Sequence, residues 1–115
     1  MVTTEVTTTH RAVRIWPDGI PEEVRFASLE DLQGYVDGLI EPVYLDRAGT
    51  VIGWVNEEGK LLGLPVNEAA TGIARRAHAI APLDVIVGSM VVAGADPGTG
   101  EDADLPQTWV DHLMH

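Results

Sequence analysis

The sequence predicts a small α+β domain, an antiparallel sheet of about five strands with two main helices and a short C-terminal helix packed on it. Short runs of alternating apolar and polar residues are separated by turn residues, and two longer amphipathic stretches begin at capping residues. The 115-residue chain is long enough for one core. We expect the order β-β-α-β-β-α-β-α with the helices on one face, a flexible N-terminal tail over residues 1–9, and a single domain over residues 10–115.

The N-terminal half predicts a hairpin followed by a helix. Apolar and polar residues alternate in two predicted strands, HRAVRI (10–15) and EEVRFA (22–27). A Pro-Asp-Gly turn joins these strands. Ser28 is placed to cap a helix with an acidic first turn, and Gly38 is placed to end that helix. The apolar positions of the helix are Leu29, Leu32, Tyr35 and Val36.

The C-terminal half predicts further strands at 39–46, 50–56 and 84–94, and helices at 68–81 and 106–114. Pro42 lacks a backbone N–H, which indicates that the first of these strands is an edge strand or carries a bulge there. Asn67 caps the longer helix and Pro82 stops it, while Gly88 interrupts the last strand. A long acidic loop leads to the terminal helix, which Trp109 anchors to the body of the domain.

Charge and composition narrow the classes of function. Eighteen Asp and Glu face seven Lys and Arg, which gives a formal net charge of −11. Such a surface repels nucleic acid and anionic lipid and attracts basic proteins, although acidity that only maintains solubility is the alternative. The chain has no Cys, no apolar run long enough to span a membrane and no signal-peptide pattern. We therefore expect a cytoplasmic protein that binds neither membrane nor nucleic acid directly.

The sequence contains no pattern that indicates catalysis, a cofactor or a metal. Two histidines lie together only at the C-terminus, and the acids of DPGTGEDAD (96–104) do not follow the ligand order of a calcium loop. There is no G-x-S-x-G nucleophile motif and no P-loop. We predict a non-enzyme with no cofactor and no metal site, and leave open the roles of His10, His78, His112 and His115.

Two sets of residues are candidates for binding. Basic side chains are scarce, so those around the predicted 68–81 helix are the more credible anion ligands, with its N-terminus and a tryptophan; the alternative is that these cations only neutralise the surrounding acids. The ligand-binding candidates are Lys60, Asn67, Arg75, Arg76 and Trp54. An exposed tryptophan and an acidic loop are the natural contacts for a basic partner. The interface candidates are Trp16, Asp96, Glu101, Asp102 and Asp104.

The segment NEEGKLLGLPVN (56–67) has a structural explanation for each part. Asn56 and Gly59 form a turn, Pro65 stiffens the approach to the next helix, and Asn67 caps that helix. Three leucines, at positions 61, 62 and 64, are expected to return apolar side chains to the core.

Over residues 11–105 the chain resembles a family of small proteins of unknown function from bacteriophages, plasmids and other mobile elements. The resemblance lies in the signature NEEGKLxxLPxN, an LQxxVxGxIE segment before it and a DxIxG segment after it. The matching residues are Leu32, Gln33, Val36, Gly38, Ile40, Glu41, residues 56–67, Ala70, Thr71, Asp84, Ile86, Gly88 and Gly94. Asp37 departs from the family, which often has glycine there. The resemblance implies a cytoplasmic protein of a mobile element, without established activity, that binds host factors such as defence systems.

The leading hypothesis is a non-catalytic accessory protein that binds a host protein with a basic surface, for example as a DNA mimic or an anti-defence factor. The alternative is a small-molecule binder that sequesters a nucleotide signal, with Lys60, Arg75 or Arg76 facing a pocket beside Trp54. A homo-oligomer formed through the edge strand near Pro42 is a further alternative.

Overall fold

The computed structural model describes residues 8–115 of the chain. In that range the chain forms six strands and three helices. The strands are β1 (His10–Ile15), β2 (Pro21–Phe26), β3 (Ile40–Tyr44), β4 (Val51–Asn56), β5 (Met90–Ala95) and β6 (Asp102–Ala103). The helices are α1 (Leu29–Val36), α2 (Glu68–Arg76) and α3 (Gln107–Met114). The tail predicted over residues 1–9 lies almost entirely outside the described residues.

The strands form one antiparallel sheet with the order β2-β1-β5-β4-β3. The two-residue strand β6 pairs with the end of β5, where Gly94 lies opposite Ala103. This arrangement confirms the predicted α+β class, and β3, which contains Pro42, lies at an edge as predicted. The acidic loop after β5 therefore folds back as a hairpin.

The helices cover both faces of the sheet, so the expectation that they share one face was wrong. Val13 of β1 belongs to the core beneath α2 and α3, whereas its neighbour Ala12 belongs to the core beneath α1. In the same way Val92 and Val91 of β5 belong to opposite cores. The reason is visible in β5, MVVAGA, whose six residues are all buried. A strand covered on both faces needs no alternation of apolar and polar residues.

Helix α1 begins as predicted but ends at Val36, two residues before the expected glycine. The Ser28 hydroxyl accepts a hydrogen bond from the Asp31 N–H at 3.3 Å. Asp37, not Gly38, adopts the left-handed conformation that ends the helix, with φ 61°. Gly38 is required for a different reason, because a Cβ there would lie 2.7 Å from the side-chain nitrogen of Asn56.

Helix α2 ends at Arg76, five residues before the predicted end at residue 81. His78 adopts the left-handed conformation, with φ 55°. The N–H of Ala79 then bonds to the carbonyl of Ala74 at 2.9 Å, which closes the helix in a Schellman motif. Residues 79–81 have no helical structure, so the periodicity of the sequence overestimates the helix.

The strand predicted over residues 84–94 starts only at Met90. Gly88 has φ 73° and interrupts the extended backbone, as the sequence indicated. A Cβ at Gly88 would lie 2.9 Å from Cδ1 of Leu64, so this glycine also allows the NEEGKLLGLPVN segment to approach. Val66 and Val87 form an isolated antiparallel bridge between the two segments.

Helix α3 packs where it was predicted, with Val110 buried and Trp109 and Leu113 against the core beneath α2. Among residues 8–115, no helix combines the length and the apolar character that a membrane crossing requires.

Candidate functional site

The turn in NEEGKLLGLPVN directs two leucines into solvent. Leu61 is 89% exposed and Leu62 is 59% exposed, so the expectation that they return to the core was wrong. The Leu62 N–H bonds to the Glu58 carbonyl at 2.9 Å. The side chains of Leu61 and Leu62 point outward from this single helical turn. Of the three leucines in the segment, only Leu64 is partly buried. Leu83, on a second loop, is 94% exposed. We call Leu61, Leu62 and Leu83 the leucine platform.

The two loops that carry the leucine platform are fixed to each other. Lys60 forms an ion pair with Asp84, next to Leu83. The Gly88 N–H donates to the Pro65 carbonyl at 2.8 Å, and the backbone N–H of Asn67 donates to the Ile86 carbonyl at 2.8 Å. The platform therefore belongs to ordered, cross-linked loops rather than to a loose segment.

Two of the predicted ligand-binding cations, Lys60 and Arg75, meet at Asp84. The Arg75 guanidinium donates to the backbone carbonyl of Asp84 at 3.0 Å. The hydrogen bond from Lys60, followed by that from the Val85 N–H, holds the pKa of the Asp84 carboxyl below its usual value. Both cations thus contact protein groups, and they connect the turn at Lys60 and helix α2 to the loop at Asp84.

Asn67 is fully buried, and its side chain bonds within the protein. Its amide donates to the carbonyls of Ile15 at 3.0 Å and Gly88 at 2.9 Å, and its oxygen accepts from the Ala70 N–H at 3.0 Å. The predicted helix cap is confirmed. The same bonds leave the side chain facing the core, away from any ligand at the surface.

The third predicted cation, Arg76, lines a groove between α2 and α3. This groove has a volume of about 460 Å³ and is lined by Leu45, Ile73, Arg76, Ala77, Thr108, Trp109, His112 and Leu113. An adjoining cavity of about 290 Å³ shares Ile73, Arg76, His112 and Leu113 with it. Thr108 and His112 are one helical turn apart on α3, so they share a face. No local sequence pattern indicates that Arg76 and α3 line the same groove, because that arrangement depends on tertiary structure.

Trp54 lies on the opposite face of the sheet from Arg76. It packs against the core beneath α1 and lines a cleft of about 300 Å³ with Tyr44, Asp96 and Asp102. The cleft brings together two of the predicted interface acids. The structure therefore separates Trp54 from all three predicted ligand-binding cations.

The predicted interface residues divide between the two ends of β1. Trp16 follows β1 directly, is 38% exposed and stacks on the Arg14 guanidinium at 3.6 Å. Asp104 lies at the other end, where its carboxylate accepts from the backbone N–H of Arg11 at 2.8 Å. Asp96, Glu101 and Asp102 belong to the hairpin beside Asp104. A single contact surface joining Trp16 to all four acids is therefore not formed.

The four histidines lie in four different environments. His10 packs against Phe26 with ring centroids 5.6 Å apart, His78 ends α2, and His112 lines the groove. His115 is the exposed last residue. Within residues 8–115, no three His, Asp or Glu side chains come together in an arrangement that could hold a metal ion.

Comparison with protein families gives a match over residues 10–115 to DUF3846, a domain of unknown function. The chain belongs to the DUF3846 family. Comparisons with curated proteins and with solved structures gave no match. The matched range of this DUF3846 domain contains the leucine platform and the groove, and the family description assigns neither an activity.

Proposed function

We propose that this DUF3846 domain is a non-catalytic binding protein that docks a basic partner protein on the leucine platform. The observation that carries the proposal is the near-complete exposure of Leu61 and Leu83 on loops that are bonded to each other. Single exposed leucines are ordinary, but apolar side chains grouped on an ordered surface with a polar rim are typical of interaction sites. Docking would bury these side chains at little cost in loop ordering.

The charge around the platform supports a basic partner. Glu57 and Glu58 are exposed in the same turn as Leu61, and the net charge of the whole chain is −11. A partner with Lys and Arg around an apolar patch would complement both features and would associate faster at low salt. A second copy would bring Glu57 and Glu58 against their own counterparts, which disfavours self-association on this surface.

The proposed cellular context is the one that the family resemblance implies, a mobile element whose product acts on a host protein in the bacterial cytoplasm. An anti-defence role is the concrete version of this proposal. DNA mimicry is the less favoured version, because Glu57 and Glu58 lie at the opposite end of the sheet from Asp96 and Asp102. Docking on the leucine platform requires only the nearby acids, Glu57 and Glu58.

The test compares substitution of the platform leucines with substitution of an exposed leucine elsewhere on the domain. The partner is captured from a bacterial lysate with the wild-type chain, identified, purified and titrated against each variant. We expect L61S/L83S to weaken binding at least about tenfold, because two apolar side chains of about 1.5–3 kcal/mol each no longer become buried. The control L29S changes a leucine on α1 that is 55% exposed and should leave the affinity unchanged.

Salt provides the second arm of this test. Wild-type affinity should fall as salt rises, and E57Q/E58Q should reduce both the association rate and its salt dependence. Equal binding by L61S/L83S and wild type would refute platform docking. A dimer of the wild-type chain that L61S/L83S dissociates, measured by light scattering, would reassign the platform to self-association.

The second candidate function, small-molecule binding, is favoured by one observation. Arg76 lines a groove together with Trp109 and His112, whereas Lys60 and Arg75 contact Asp84. A small-molecule site would therefore lie between α2 and α3 and use one of the three cations proposed from the sequence.

A further inference from the structure

We infer that the groove between α2 and α3 binds a small amphipathic anion, an apolar body that carries one carboxylate or phosphate group. The apolar body would lie along Ile73, Trp109 and Leu113, and the anionic group would lie against Arg76 and His112. This inference is independent of the partner protein proposed for the leucine platform.

The charges around the groove are the first argument. In a chain with a net charge of −11, none of the described residues that line the larger cavity is acidic, and two are basic. Within residues 8–115 the basic side chains that lie within 4.0 Å of a carboxylate are His10, beside Asp104, and Lys60, beside Asp84, so Arg76 has no carboxylate partner there. A guanidinium without a partner beside an apolar surface favours a ligand that supplies the missing anion.

The position of the guanidinium is the second argument. A Cβ added at Gly72, one turn before Arg76, would lie 3.6 Å from Nη1 of Arg76. The guanidinium therefore lies back along α2 over the glycine, at the boundary shared by the two cavities. The acid that lines the smaller cavity is Glu68, one turn before Gly72 on α2, so the smaller cavity is the less favourable side for an anion. The anionic group is thus expected on the side of the groove that faces α3.

The volume and chemistry of the groove are the third argument. Small-molecule sites span about 300–1,000 Å³ and combine an apolar lining with a few polar groups. The larger cavity, about 460 Å³, has that size and lining. Trp109 offers a flat apolar surface, and Thr108 and His112 place polar groups one turn apart at the α3 side.

The test uses decanoate, below its micelle-forming concentration, as the probe and 1-decanol, below its solubility limit, as its uncharged counterpart. Binding is measured by calorimetry and by Trp109 fluorescence, with W109F reporting the contribution of the other two tryptophans. We expect saturable binding of decanoate and weaker binding of decanol. R76Q should weaken decanoate binding at least about tenfold, because a charge-assisted hydrogen bond is lost.

The chain offers a matched control for that substitution. Arg75 precedes Arg76 on α2, is equally charged, and donates to the Asp84 carbonyl instead of lining the groove. R75Q should therefore leave decanoate binding unchanged. T108E, which adds a carboxylate at an exposed position of the groove, should weaken it, whereas L61S/L83S should have no effect.

Three results would overturn the inference: no saturable decanoate binding by the wild-type chain, equal loss in R75Q and R76Q, or decanol binding as tightly as decanoate. Thermal unfolding of each variant checks that the fold is retained. Loss of partner binding in L61S/L83S with intact decanoate binding would separate this site from the leucine platform.

Discussion

At the residue scale, buried asparagine side chains join parts of the chain that are distant in sequence. Asn67 links β1, α2 and the loop at Gly88 through three hydrogen bonds of its side chain. Asn56 donates to the carbonyls of Val36 and Asp37 at 3.0 and 3.2 Å and so satisfies the C-terminus of α1. Each is a polar group that burial would penalise without these partners. The two asparagines that begin and end NEEGKLLGLPVN therefore anchor the segment, and most of the residues between them are exposed.

Asp46 offers a prediction for the pH dependence of stability. Partial burial alone would raise the pKa of the Asp46 carboxyl, but hydrogen bonds from the Thr50 hydroxyl and from the backbone N–H groups of Val51, Thr50 and Gly49 outweigh it. The pKa therefore lies below the ordinary 3.8. Since the folded state binds the proton less tightly, the stabilisation is present above pH 3.8 and is lost as the pH falls through the lower folded pKa.

The variant D46N keeps a side-chain oxygen but removes the charge. We expect D46N to be less stable than the wild type near neutral pH, by about 1 kcal/mol, since a charge-assisted acceptor is replaced by a neutral one. The difference should shrink as the pH falls below 3.8. Urea unfolding at several pH values measures both the stability difference near neutral pH and its decrease at low pH. If the stability difference between D46N and the wild type stayed constant at the lowest pH measured, the charge of Asp46 would not be its cause.

At the element scale, the sequence predicts the beginnings of helices better than their ends. Ser28 and Asn67 cap α1 and α2 as expected, because capping needs only a side-chain oxygen at the right place. The ends were missed because Asp37 and His78 adopt the left-handed conformation that normally favours glycine. Apolar periodicity continues beyond His78, so the pattern does not indicate that α2 ends before that residue.

These two residues lead to a prediction for stability. D37G and H78G should each raise the free energy of unfolding by about 0.5–1 kcal/mol, because glycine adopts a positive φ without steric cost. Both side chains are exposed, so little packing is lost. The matched controls D37A and H78A keep the steric cost and should give no gain. Chemical unfolding measures the stability of all four variants. Equal effects of glycine and alanine at a position would show that relief of the positive-φ cost is not the cause.

At the scale of the whole molecule, the sequence predicted the fold class, the edge position of β3 and the docking of α3, but only part of the candidate sites. Lys60 and Arg75 do come together, at Asp84, yet Arg76 lies with Trp109 and His112 in a groove that no local pattern indicated. Which surfaces meet depends on how α2 and α3 cross the same face of the sheet. Local periodicity does not contain that information.

The edge of the sheet at β3 bears on whether the molecule pairs with itself. The Leu45 N–H donates to the Val51 carbonyl of β4, and the Leu39 carbonyl accepts from Glu57, the residue after β4. The backbone groups of the odd-numbered residues between Leu39 and Leu45 therefore also point toward β4. The outward-facing backbone groups therefore belong to Ile40, Pro42 and Tyr44. Pro42 has no N–H to offer and interrupts the row of donors at its centre, which is one of the ways natural edge strands avoid pairing.

Replacing this proline tests whether it keeps the edge unpaired. We expect P42T to increase concentration-dependent dimerisation, because threonine restores the central donor and favours strand conformation. The increase should be larger at high salt, where the repulsion between chains of net charge −11 is screened. P82T, which changes a proline in the loop beside Leu83, is the control and should behave as the wild type. Sedimentation or light scattering gives the result, and a P42T chain that stays monomeric at high salt would show that proline is not what protects this edge.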